Sequence, residues 1–111
     1  MSLTVQKAPI GREKTASRRA LDVLEALQNR GVDAVVTGSL AAGKFRQDSD
    51  VDFLVRVCPP HLKYKIESMV EDLMGEIHFD VVYREELPAR ILARMEVSVL
   101  GLAELTDHTH A

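Results

Sequence analysis

Val51 to Val57 reads VDFLVRV, a run rich in Val, Phe and Leu that fits an extended strand. The run needs a core to bury it, and its opening, Asp50-Val51-Asp52, sets two acids at the edge of that core. Alternate side chains of a strand point to the same face. Asp50 and Asp52 therefore share a face, their stems roughly 7 Å apart. Val51 and Phe53 point the other way, and Phe53-Leu54-Val55 carry the strand inward. Two carboxylates so close repel each other unless a proton or a cation intervenes. A hard divalent ion such as Mg²⁺, which prefers oxygen ligands, suits the pair.

The rest of the chain supplies the layers around that strand. Residues 1–13, with Pro9 and Gly11, show no clear period and read as a flexible lead-in. From about Thr15 to Arg30, Ala20, Val23, Leu24 and Leu27 recur at helical spacing, and Gly31 ends the pattern. Ala34-Val35-Val36-Thr37 reads as a buried strand broken by Gly38-Ser39, and residues 40–49 as a loop or short helical turn. After Pro59-Pro60, the residues Leu62, Ile66, Met69, Val70 and Leu73 form a helical stripe that Gly75 closes. Ile77 to Tyr83 reads as a third strand. Ile91, Leu92, Met95 and Val99 share one face of a helix over about 88–100, and the polar tail 106–111 reads as disordered. The expected architecture is α/β (α+β): a small mixed sheet of three or four strands covered by helices, in the order α-β-β-α-β-α. It forms a single domain over 14–105.

Asp80 stands inside the apolar run His78-Phe79-Asp80-Val81-Val82, where a charge is seldom placed without a partner. A neighbouring strand would bring it beside Asp50 and Asp52. Three carboxylates can hold two metal ions about 4 Å apart, an arrangement that stabilises both oxygens of a phosphoryl or nucleotidyl displacement. Gly38-Ser39 supplies the other half. A turn directly after a strand presents backbone N–H groups to a phosphate, glycine admits close approach, and the Ser39 hydroxyl can donate to a phosphate oxygen. Gly43 allows a second tight turn, and Lys44 and Arg46 are nearby cations. Each piece alone is weak; the order of strand, Gly-Ser, ten residues, Asp-x-Asp and a third strand-borne aspartate is the signal.

That order resembles the minimal nucleotidyltransferase family of the DNA polymerase β-like superfamily, whose signature is Gly-Ser, ten residues, Asp-x-Asp. Gly38-Ser39, residues 40–49 and Asp50-Val51-Asp52 match it without gaps, as do the Asp48-Ser49 lead-in and the apolar continuation; the likeness spans about residues 15–96. The resemblance implies a nucleotidyltransferase αβ core. It implies Asp50, Asp52 and Asp80 as catalytic metal ligands for Mg²⁺, with Gly38, Ser39, Lys44 and Ser49 holding ATP or another nucleoside triphosphate. Relatives commonly carry arginines in the loop after Gly-Ser, where this chain has Leu40 and Ala42. Stand-alone members of this size resemble the antitoxin of MNT/HEPN toxin–antitoxin pairs. The implied reaction is then transfer of AMP from ATP to a tyrosine of a HEPN-type toxin. Two other functions are consistent with the residues: a non-catalytic module that neutralises a partner by contact, and nucleotidyl transfer to a small molecule at an oligomer interface.

Composition narrows the partners. Fourteen basic against seventeen acidic residues leave a net charge of −3, no footprint for broad nucleic-acid binding, although Lys7, Arg12, Lys14, Arg18 and Arg19 crowd the N-terminal region. One cysteine, Cys58, excludes an intrachain disulfide. No apolar run approaches the ~18 residues of a membrane span, and Met1–Ile10 lacks the apolar core of a signal peptide. The expected setting is cytoplasmic. His78 reads as a partly buried histidine, Cys58 as a packing residue, and Met69, Met74 and Met95 as core filler. Tyr64 and Tyr83 read as structural, and His108 and His110 as incidental metal binders in the tail.

Overall fold

The computed structural model describes residues 2–110, with side-chain placement for 11–107 and 109. Helix α1 (Ser2–Gln28) leads into β1 (Asp33–Thr37), a single turn α2 (Gly38–Ala41) and β2 (Val51–Val57). A 3-10 segment, Pro60–Lys65, runs into α3 (Ile66–Met74), followed by β3 (Phe79–Tyr83), α4 (Ala89–Met95), β4 (Val99–Leu100) and α5 (Leu102–His110). The sheet has the order β3-β2-β1-β4. β1 pairs antiparallel with both β2 and β4, whereas β2 and β3 run parallel, joined by the crossover through α3. This is the mixed α+β architecture expected from the alternation of apolar runs.

The two sheet faces divide the work. Ala34, Val36, Val51, Phe53 and Val55 face the main core with Ala16, Ala20, Val23, Leu24 and Leu27 of α1, Ile66, Val70 and Met74 of α3, and Leu105 of α5. Arg19 of α1 donates to the carbonyl of Met74 at 3.1 Å, capping the end of α3 against α1. The alternate residues Val35, Thr37, Asp52, Leu54 and Arg56 fall on the other face. There the end of α4 is tied down: Thr37 Oγ1 donates to the carbonyl of Met95, and Arg56 Nη2 pairs with Glu96 Oε1 at 3.1 Å.

The structure corrects the sequence reading at three places. Residues from Ser2 onward are helical rather than a flexible lead-in over 1–13. The helix is anchored before Thr15 by Arg12, which sits over the Phe45 ring at 5.8 Å, and each residue added to an established helix gains a hydrogen bond. The helix expected over 88–100 stops at Met95, and Val99-Leu100 instead pair with Thr37 and Val36. β-Branched Val97 and Val99 favour extension, and the open edge of β1 offers them a ladder. Finally, 106–110 belongs to α5 rather than to a disordered tail. Leu105 is fully buried against α1, Gly101 N–H donates to Glu104 Oε1 at 2.8 Å, and the Thr106 and Thr109 hydroxyls donate to carbonyls one turn back. A polar tail hides this because one buried leucine suffices to dock it.

Leu105→Ala should therefore lower unfolding stability by about 2–4 kcal/mol, as large-to-small changes at buried sites do. Urea denaturation followed by circular dichroism measures it, and an unchanged midpoint would return this segment to a dispensable tail.

Candidate active site

Strand register decides what meets what. Thr37 of β1 lies opposite Asp52 of β2, and Asp52 lies opposite Asp80 of β3. Paired residues on adjacent strands share a face, so Thr37, Asp52 and Asp80 form one row across the end of the sheet. Asp50 stands one residue before β2, exposed, and Val51 N–H donates to the His78 carbonyl at 3.0 Å, which holds the entry of β2 against the entry of β3. Asp80 is exposed and Asp52 half-buried.

Electrostatics record the convergence. The Asp52 carboxyl is pushed up from its ordinary 3.8 to about 6, first by burial, then by the charge of Asp80, then by that of Asp50. Among the described residues, no three His, Cys, Asp or Glu side chains already stand in metal-holding geometry. A divalent cation would offset both the burial of Asp52 and its repulsion by Asp80 and Asp50. The donors fit such an ion: they are all carboxylate oxygens, and the half-buried member carries a penalty that positive charge would relieve.

Gly38 is bound to this arrangement by two constraints. Its φ is +73°, in the left-handed region that glycine tolerates, and a Cβ there would collide with Oδ2 of Asp52 and stand 3.2 Å from its Cγ. The backbone at the end of β1 thus lies directly against the Asp52 carboxylate. The loop that follows is pinned separately. Phe45 is buried, Arg12 donates to the Ser49 carbonyl at 3.4 Å, and Ser49 Oγ accepts from the Arg46 N–H at 2.9 Å. Lys44 N–H donates to the Ser39 carbonyl at 2.8 Å.

A pocket of about 420 Å³ opens beside the Thr37 and Asp52 end of the row, lined by Thr37, Gly38, Ala42, Asp52, Arg94, Met95, Val97 and Ser98, with Asp50 and Asp80 outside this lining. Of the residues expected to bind nucleotide, Gly38 lines it; Ser39, Lys44 and Ser49 lie outside this lining, with Lys44 exposed and Ser49 engaged in its own loop. Thr37, Arg94, Val97 and Ser98 are additions the sequence did not flag. They come from a strand end and from the connection between α4 and β4, neither of which carries a motif. Met95, expected as core filler, lines the pocket. His78 is exposed, and its part is the backbone bond to Val51. Cys58 donates to the Pro59 carbonyl at 3.3 Å, and burial raises its thiol pKa. The Tyr83 hydroxyl donates to the Lys63 carbonyl at 3.1 Å, whereas Tyr64 is exposed. The His108 and His110 side chains lie outside the described residues.

Two outcomes follow. Gly38→Ala should cost about 2 kcal/mol from the positive φ and the displaced carboxylate together, read by chemical denaturation. Asp52→Asn should stabilise the metal-free protein near pH 7.5 by about 1 kcal/mol, a figure reduced for the solvent that still reaches the group. The folded-state value, about 6, exceeds the ordinary 3.8, so the folded protein holds that proton more tightly. The stability it contributes is complete at the acid end and lost as pH rises through about 6. The advantage of asparagine should accordingly fade in melts recorded below pH 4; an advantage independent of pH would contradict this origin.

A family model of the nucleotidyltransferase domain matches residues 17–100, which include every strand and all three aspartates. A solved structure described as a candidate minimal nucleotidyltransferase is similar, with a TM-score of 0.62 and 28% identity over 77% of this chain and 89% of that one. No curated protein matches the chain. The strand row, the glycine against the acid and the family match over most of the chain agree: this chain belongs to the nucleotidyltransferase domain family, in its minimal form.

Proposed function

We propose that this chain is a Mg²⁺-dependent, cytoplasmic nucleotidyltransferase that moves AMP from ATP onto an acceptor hydroxyl, and that the acceptor is a tyrosine of a HEPN-type toxin which the chain restrains as an antitoxin. The observation that carries the reading is the register of Asp52 with Asp80, with Gly38 packed on Asp52.

Asp50, Asp52 and Asp80 would hold the metal, which when bound neutralises phosphate charge and orients the triphosphate. Gly38 and Ser39 bring backbone and hydroxyl donors to the phosphates. The acceptor oxygen bonds to the α-phosphorus as the bond to the β-phosphate oxygen breaks, and pyrophosphate leaves. Asp80 would take the acceptor proton, a role supported by its exposure on the edge strand β3. Its exposure, together with that of Asp50, favours an acceptor presented from outside the fold, as a side chain of another protein would be. Among the described residues, no helix is long and apolar enough to cross a membrane.

The test incubates the purified protein with α-labelled ATP, Mg²⁺ and a HEPN-type partner. The expected result is AMP-labelled partner, lost on changing its acceptor tyrosine to phenylalanine, and reduced at least ~100-fold by Asp52→Asn. Labelling that persists in Asp52→Asn would remove the proposed metal role. A stable complex without labelling would replace catalysis by neutralisation through contact.

A further inference from the structure

We propose that Arg94 is the cation that clamps the nucleotide triphosphate in the active-site pocket. The inference rests on the nucleotidyl-transfer reading and adds to it a residue from outside the Gly-Ser and aspartate segments.

The argument begins with charge. A triphosphate carries several negative charges, and Asp50, Asp52 and Asp80 add three formal charges at the same end of the sheet. Divalent ions cancel part of that sum, and a fixed cation on the wall is needed to hold the remainder in a defined position. Among the described residues lining the pocket, Arg94 alone is cationic. Ala42 lies on the wall but brings no charge, while Lys44 and Arg46 fall outside the lining. A guanidinium is suited to the task because its planar fork meets phosphate oxygens through two parallel hydrogen bonds.

The second argument is position. Arg94 sits at the end of α4, and the residues after it are fixed one by one. The Met95 carbonyl accepts from the Thr37 hydroxyl, Glu96 pairs with Arg56 at 3.1 Å, and Val99 is laddered to Thr37. Thr37 is also the cross-strand neighbour of Asp52. One buried threonine therefore sets the distance between the backbone that carries Arg94 and the carboxylate that anchors the acidic row. Among the described residues the ion pairs are Arg56 with Glu96 and Lys63 with Glu85 and Glu86, so Arg94 has no carboxylate of its own to leave. Its side chain is exposed at the mouth, flanked by Val97, which is 82% exposed, and by Ser98.

Arg94→Ala and Arg94→Lys separate this role from a structural one. Binding is measured by calorimetry with two probes in Mg²⁺ buffer: ATP, and inorganic tripolyphosphate, which has no base or sugar. Arg94→Ala should weaken both by about 10-fold, and Arg94→Lys should restore part of the loss. The thermal shift that Mg²⁺ alone produces should match the unmodified protein in both variants. Equal affinities in Arg94→Ala and the unmodified protein would overturn the assignment while leaving the transferase reading intact. So would a variant that loses ATP but keeps tripolyphosphate, which would move Arg94 to the base. Loss of the Mg²⁺ shift in Arg94→Ala would make it a support of the acids. An unmodified protein that binds neither probe would overturn this proposal and the function it rests on together.

Discussion

Parallel pairing of β2 with β3 brings Asp52 and Asp80 onto one row, and the candidate site is built around that juxtaposition. Burying a carboxylate beside two others is unfavourable: burial first, then the charges of Asp80 and Asp50, push Asp52 up to about 6. The fold bears it because the opposite face of the same strands is among its best-packed surfaces: Val51 and Phe53 are fully buried, directly flanking Asp52 in sequence. A sheet twisted or slipped by one residue would carry these apolar groups into water and the acids into the core. Burial of one face thus enforces the electrostatic tension on the other.

The same logic explains why part of the molecule is legible in the sequence. β2 occupies Val51–Val57, as its apolar run foretells, and the Gly38 turn stands where a strand gives way to Gly-Ser. These features are local: a run of β-formers, a residue type with unique backbone freedom, an alternation of period two. The features that escape are relational. Val99-Leu100 extends because the edge of β1 is open to it, and Val99 also continues the helical spacing of Ile91, Leu92 and Met95. Helix α5 depends on Leu105 finding a socket on α1. Arg12 is one of several N-terminal cations, and only the positions of Phe45 and the Ser49 carbonyl distinguish it from a solvated charge.

The candidate site divides along the same line. Gly38, Asp50, Asp52 and Asp80 announce themselves because each breaks a local rule: a break directly after a strand, or charge where a strand should be apolar. Lys44 and Ser49 break no such rule; closeness in sequence to the phosphate turn is what recommends them, and in the structure Ser49 Oγ accepts from the Arg46 N–H and the Lys44 N–H donates to the Ser39 carbonyl. Arg94 lies far along the chain from that turn and reaches the pocket through the tertiary path of α4.

Thr37 joins two parts of the protein that differ in how freely they can change. Asp52 and Asp80 are fixed in a strand ladder, and Val51 and Phe53 on either side of Asp52 are fully buried. The short connection between α4 and β4 meets the sheet mainly through one hydroxyl, one ion pair and a two-residue strand. Mutation can rewrite the exposed positions of that connection with little cost to the core. The wall of the pocket can therefore change shape and charge while the strands beneath it keep their register.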